Sequence, residues 1–89
     1  MRRVGQVRKR DANEAQIVIA LEFWGVNVFR ISGVGVPDLL THWRGQWLPI
    51  EVKDPKGTLT PAQIKTQQRC PFPVVHSVDE ALALFTRRA

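Results

Sequence analysis

The chain has 89 residues, enough for one domain with one modest core, and its 44% apolar and 24% charged content is that of an ordinary globular protein. No stretch approaches the roughly 18 uninterrupted apolar residues of a membrane span, the Arg-rich start lacks the apolar core of a signal peptide, and the single cysteine, Cys70, rules out an internal disulfide. Thirteen Lys and Arg against eight Asp and Glu leave a net charge of +5, so the expectation is a cytoplasmic protein with a polyanionic partner.

Residues 1–10 read as a basic arm carrying Arg2, Arg3, Arg8, Lys9 and Arg10, with Arg87 and Arg88 at the other end. Such clusters are either solvated termini or phosphate contacts. The spacing predicts a helix over 11–24, with Asp11 as N-cap, Gly25 as the terminating glycine, and an apolar stripe of Ile17, Val18, Leu21 and Trp24. Glu14 lies one turn before Ile17 and Val18, on the stripe that faces the core; the competing reading makes it the reciprocal acid of a capping box with Asp11. Val26, Val28, Phe29 and Ile31 suit a first strand ending near Ser32, and Gly33-Val34-Gly35 then bends the chain.

Residues 38–43 and 46–51 read as two strands joined by a two-residue turn at Arg44-Gly45. In that register Trp43 opposes Gln46, Leu40 opposes Pro49, and Asp38 opposes Glu51 at a Cβ separation of about 4.5 to 5.5 Å. A three-residue turn centred on Gly45 pairs Asp38 with Val52 instead. Strand alternation puts Glu51 and Lys53 on one face and Leu48, Ile50 and Val52 on the other. Two carboxylates beside a lysine are tolerated mainly when a proton or cation sits between them. Asp54-Pro55-Lys56-Gly57 then forms a turn, and Thr60-Pro61-Ala62-Gln63 opens a helix to about Arg69 with N-cap, first-position proline and capping-box glutamine. A short strand over 73–76 and a last helix from the Ser77-Glu80 capping box to about Arg87 complete the order α-β-β-β-α-β-α, one α/β sheet flanked by helices.

Gly35-Val36-Pro37-Asp38-Leu39-Leu40, Ile50-Glu51-Val52-Lys53 and Gly57-Thr58-Leu59-Thr60-Pro61-Ala62-Gln63, with Glu14 upstream, resemble the virus-type replication-repair nuclease (VRR-Nuc) family of the PD-(D/E)XK superfamily, in the small form typical of phages and bacteria. The similarity runs from about Ala12 to the last helix. It implies a single nuclease domain over residues 1–89 with a restriction-endonuclease-like core, a mixed sheet of about four strands and three helices. It also implies a Mg²⁺- or Mn²⁺-dependent endonuclease that cuts branched DNA in repair, at four-way (Holliday) junctions as a homodimer. The alternatives are a nuclease for flaps or other branched repair intermediates, and a DNA-binding module without turnover.

Phosphodiester hydrolysis needs an activated water and relief of negative charge, which divalent metal ions supply. The oxygen donors expected to hold the metal are Asp38, Glu51, the Val52 carbonyl and Glu14, with Lys53 beside the attacking water. Gln63 matches the family glutamine and is expected to orient water or phosphate near Lys53, alongside its plain use as a cap for Thr60. Ser32 and Lys56 join the basic arm as candidate DNA contacts. Trp43 and Trp47 suit base stacking or, more commonly, packing; His42 and His76 are too isolated to suggest zinc.

Overall fold

Residues 12–86 are described by a computed structural model. The expected order is present: α1 (Glu14–Trp24), β1 (Asn27–Arg30), β2 (Leu39–Trp43), β3 (Gln46–Val52), α2 (Pro61–Arg69), β4 (Val74–Val75) and α3 (Val78–Thr86). The strands form one mixed sheet in the order β1-β2-β3-β4. The first three are antiparallel, and β4 runs parallel to β3 because α2 carries the chain back across the sheet. No helix among the described residues is long and apolar enough to cross a membrane.

Alternation along β3 decides which face is buried. Ile50 and Val52 join Leu39 of β2 and Val75 of β4 against Ile17 and Leu21 of α1 and Ala81 and Phe85 of α3. Trp43 closes one end of this layer with its ring edge-on to Phe85, 5.6 Å between centroids. Packing is therefore its use. The hairpin turns at Arg44 and Gly45, both with positive φ (51° and 79°), the backbone that matches strand twist in a two-residue turn. The Arg44 guanidinium lies over the Trp43 ring at 4.5 Å. Trp43 pairs with Gln46 and Leu40 with Pro49, which excludes the three-residue turn.

Several details differ from expectation. The helix starts at Glu14 with Asn13 in the N-cap position; Asp11 lies outside the described residues, as do residues 1–10 and 87–89. Glu14 is thus the first helical residue and almost fully buried, which removes its capping-box reading. Trp24 is half exposed: the left-handed Gly25 reverses the chain immediately after it, and Val26, whose N–H donates to the Leu21 carbonyl, takes the core place instead. β1 stops at Arg30, and β4 is only two residues long. At α3 the Ser77 hydroxyl accepts the Glu80 N–H as expected, but the Glu80 carboxylate accepts from the His76 N–H rather than from its own cap residue, which holds Glu80 below the ordinary carboxylate range.

Candidate active site

The last paired residues of the hairpin, Leu39 and Ile50, leave Asp38 and Glu51 facing each other one step further on. Each carboxylate is tied to the other's strand. The Asp38 N–H donates to Glu51 Oε1 at 3.2 Å, and the Val52 N–H donates to Asp38 Oδ2 at 3.1 Å. Both acids are buried, at 4% and 1% exposure. Burying a carboxylate costs several kcal/mol unless it is compensated, so this pair has to be read together with its partners.

Glu51 Oε2 receives two of those partners. Lys53 Nζ stands 3.2 Å away, two residues further along the chain just past the end of β3, and Gln63 Nε2 donates at 2.9 Å. Gln63 is delivered by the helix cap. Thr60 Oγ1 accepts the Gln63 N–H, and Gln63 Oε1 accepts the Thr60 N–H, which leaves the amide nitrogen pointing at Glu51. The capping and site roles thus use opposite ends of one amide. Burial first, and the Asp38 charge second, push the Glu51 pKa above its ordinary value, while Lys53 and Gln63 oppose the shift.

Gly35 sets the distance between α2 and the loop that carries Asp38. A Cβ there would lie 2.8 Å from Thr66 Oγ1 and 3.0 Å from the Ala62 carbonyl oxygen, and its φ of 76° is one that only glycine adopts without strain. The Gly33 carbonyl accepts the Val36 N–H, which forms the expected bend. Ser32 is exposed on this loop; Lys56 is exposed on the turn closed by the Gly57 N–H and the Asp54 carbonyl. These loops enter β2 and leave β3 at the acid pair. Arg2, Arg3, Arg8, Lys9 and Arg10 lie outside the described residues.

Glu14 is buried in the first turn of α1, with Oε2 3.2 Å from Arg30 Nε. Arg30 pairs with Leu39 and so projects to the α1 face, whereas Asp38, the next residue along from Leu39, projects to the other. Among the described residues no three His, Cys, Asp and Glu side chains gather as a metal-holding group, so the structure brings Asp38 and Glu51 together and leaves Glu14 outside that pair. Two residues without an assigned role in the sequence organise this corner. Arg30 holds Glu14, and the Asn13 amide donates to the carbonyls of Lys53 (3.2 Å) and His76 (2.9 Å), stapling α1 to the ends of β3 and β4.

His42 shares the Asp38 face, with its ring 4.7 Å from Trp47 and Nδ1 3.5 Å from the Asn27 amide; His76 pairs with Glu80. No protein-family model, curated protein or solved structure matches this chain.

The donor set suits a hard divalent cation. Mg²⁺ is commonly held by one or two carboxylates, with waters and substrate phosphates completing its shell. Asp38 and Glu51 supply the carboxylates. The Val52 carbonyl adds a neutral oxygen on the Asp38 side, because in an extended strand it points the same way as the Val52 N–H that Asp38 accepts. The observation that favours an ion is geometric: two buried carboxylates face each other across the hairpin end, and a dication between them would relieve their repulsion.

Proposed function

We propose that this chain is a Mg²⁺- or Mn²⁺-dependent endodeoxyribonuclease of the VRR-Nuc type that hydrolyses phosphodiester bonds in branched DNA, with the four-way junction as substrate and two copies acting together. The observation that carries the reading is the juxtaposition of Asp38, Glu51 and Lys53 at one end of the hairpin. A divalent ion bound there supplies Lewis acidity and a water acidic enough to act near neutral pH. Asp38 and Glu51 hold that ion, with the Val52 carbonyl as a third oxygen. Lys53 keeps a cation beside the attacking water and offsets the negative charge on the phosphoryl oxygens in the transition state.

Gln63 fixes the rotamer of Glu51, so that the acid is in place before substrate arrives. Arg30 and Asn13 hold Glu14 and the first turn of α1 behind the strand ends, where Glu14 acts through the outer shell rather than as a direct ligand. Net positive charge draws in DNA, with the basic arm, Ser32 and Lys56 contributing phosphate contacts. A four-way junction is two-fold symmetric, and paired cuts need two sites related by the same symmetry.

The test is cleavage of end-labelled four-way junction, flap and plain duplex with and without Mg²⁺. Paired symmetric cuts on the junction, dependent on metal, are expected. Products from flaps alone would replace the junction with a repair flap as substrate, and binding without any product would leave a DNA-binding module.

A further inference from the structure

β1 is an open edge of the sheet. The Ile31 N–H donates to the Asp38 carbonyl, which fixes the ladder alternation: Asn27 and Phe29 turn their main-chain groups toward β2, while Val28 and Arg30 turn theirs outward. No described residue pairs with that outward row. The edge also lacks the proline, lysine or bulge that usually protects one, and the Arg30 side chain is drawn back to Glu14.

Apolar groups flank the edge on both faces. On the helix side, Val18 and Ile19 line a groove with Val28, and Ile19 is mostly exposed. On the other side, Phe29 and Trp47 lie 6.1 Å apart, each about half exposed. Ile19, Phe29 and Trp47 leave roughly 350 Å² of apolar surface in water. That is a large part of the apolar share of a standard interface burying about 800 Å² per partner.

We propose that β1 pairs antiparallel with β1 of a second copy, about a two-fold axis through Phe29, so that the two sheets become one continuous sheet. In this register Val28 faces the partner's Arg30 across reciprocal main-chain hydrogen bonds. Phe29 meets the partner's Phe29 as a close cross-strand aromatic pair.

Charge selects the same arrangement. Glu22 lines the groove at the Asn27 end of β1, and Arg30 stands at the opposite end with its side chain half exposed. Antiparallel pairing brings each Glu22 to the partner's Arg30, twice by symmetry, whereas a parallel pairing sets like beside like. A surface complementary to itself in hydrogen bonds, rings and charge fits a second copy better than an unrelated protein. The inference gives a surface to the two-copy reading above and rests on it. Because Arg30 also holds Glu14, the interface reaches the first turn of α1.

The experiment is native mass spectrometry and sedimentation equilibrium on the full chain, without DNA or metal. A dimer is expected. Val28→Pro removes an outward N–H that makes no bond to β2, so it should yield a monomer with an unchanged circular dichroism spectrum. Glu22→Arg should weaken self-association by about tenfold or more, through like charges facing across the axis. A wild-type monomer at about 100 µM, a dimer indifferent to Val28→Pro, or one indifferent to Glu22→Arg would each overturn the interface. Cleavage by a monomer would defeat this interface and the two-copy reading while leaving the nuclease chemistry, whereas an intact dimer that cuts no DNA would defeat the nuclease reading alone.

Discussion

Replacing Glu51 by glutamine separates the acid pair from every other part of the fold, and its consequences run through metal binding and pH together. If Asp38 and Glu51 hold a divalent ion, Mg²⁺ stabilises the native state by RT ln(1 + [Mg²⁺]/Kd), about 2.7 kcal/mol at a hundredfold excess over Kd. For a domain of this length that is a rise in Tm of roughly 10–20 °C. Glu51→Gln removes one of the two carboxylates of the pair while keeping an oxygen within reach of Gln63. A Kd weakened by about a hundredfold leaves about 0.4 kcal/mol at the same Mg²⁺, a rise of roughly 2–3 °C.

The pH dependence follows from the raised Glu51 pKa. A carboxylate whose folded pKa lies above its unfolded value contributes stability that is fully present below the unfolded pKa and is lost as pH rises through the folded one. Metal-free wild type should therefore lose this contribution on moving upward from the ordinary glutamate range, and Glu51→Gln should flatten that slope. Differential scanning fluorimetry across pH, in EDTA and in Mg²⁺, reads all of these quantities. A wild-type Tm indifferent to Mg²⁺, or a rise of equal size in the variant, would refute the reasoning.

On the proposed nuclease reading, Lys53→Ala should lower single-turnover cleavage by about 10²-fold or more while DNA affinity measured by anisotropy stays within about threefold, since the ammonium beside Glu51 would then serve the attacking water. Gly35→Ala forces a Cβ against Thr66 and Ala62 at a positive φ, and a loss of at least about 1–3 kcal/mol is expected in urea unfolding; an unperturbed midpoint would show that α2 yields freely. Asn13→Ala leaves two carbonyls without their shared donor and should cost about 1–2 kcal/mol, seen as faster hydrogen exchange in the first turn of α1. Neutralising Arg8, Lys9 and Arg10 should reduce the slope of log affinity against log salt by about 0.9 for each phosphate they neutralise, and an unaltered slope would make them bystanders.

Much of the fold was legible because local rules agreed with one another. Arg44-Gly45 suits a two-residue turn, period-two alternation in β3 names the buried face, and Thr60-Pro61-Ala62-Gln63 carries its cap, its proline and its reciprocal glutamine in four consecutive positions. Those same rules placed Asp38 opposite Glu51 and Lys53 beside it. What sequence withheld were interactions between elements distant in the chain. Asn13 bonds to carbonyls 40 and 63 residues away, and nothing local distinguishes that use from an ordinary cap. Arg30 could be assigned to Glu14 only once pairing with Leu39 had set its face. Trp24 misled because helical periodicity continues past the point where Gly25 turns the chain, and a neighbouring valine filled the core in its place.

Anomalous diffraction from crystals soaked in Mn²⁺ addresses the metal itself. The expected result is a peak within direct bonding distance of both Asp38 and Glu51 carboxylates, with the Lys53 ammonium adjacent and Glu14 outside the coordination shell. Manganese bound elsewhere, or no ordered ion at the hairpin end, would contradict a nuclease site built on these two acids.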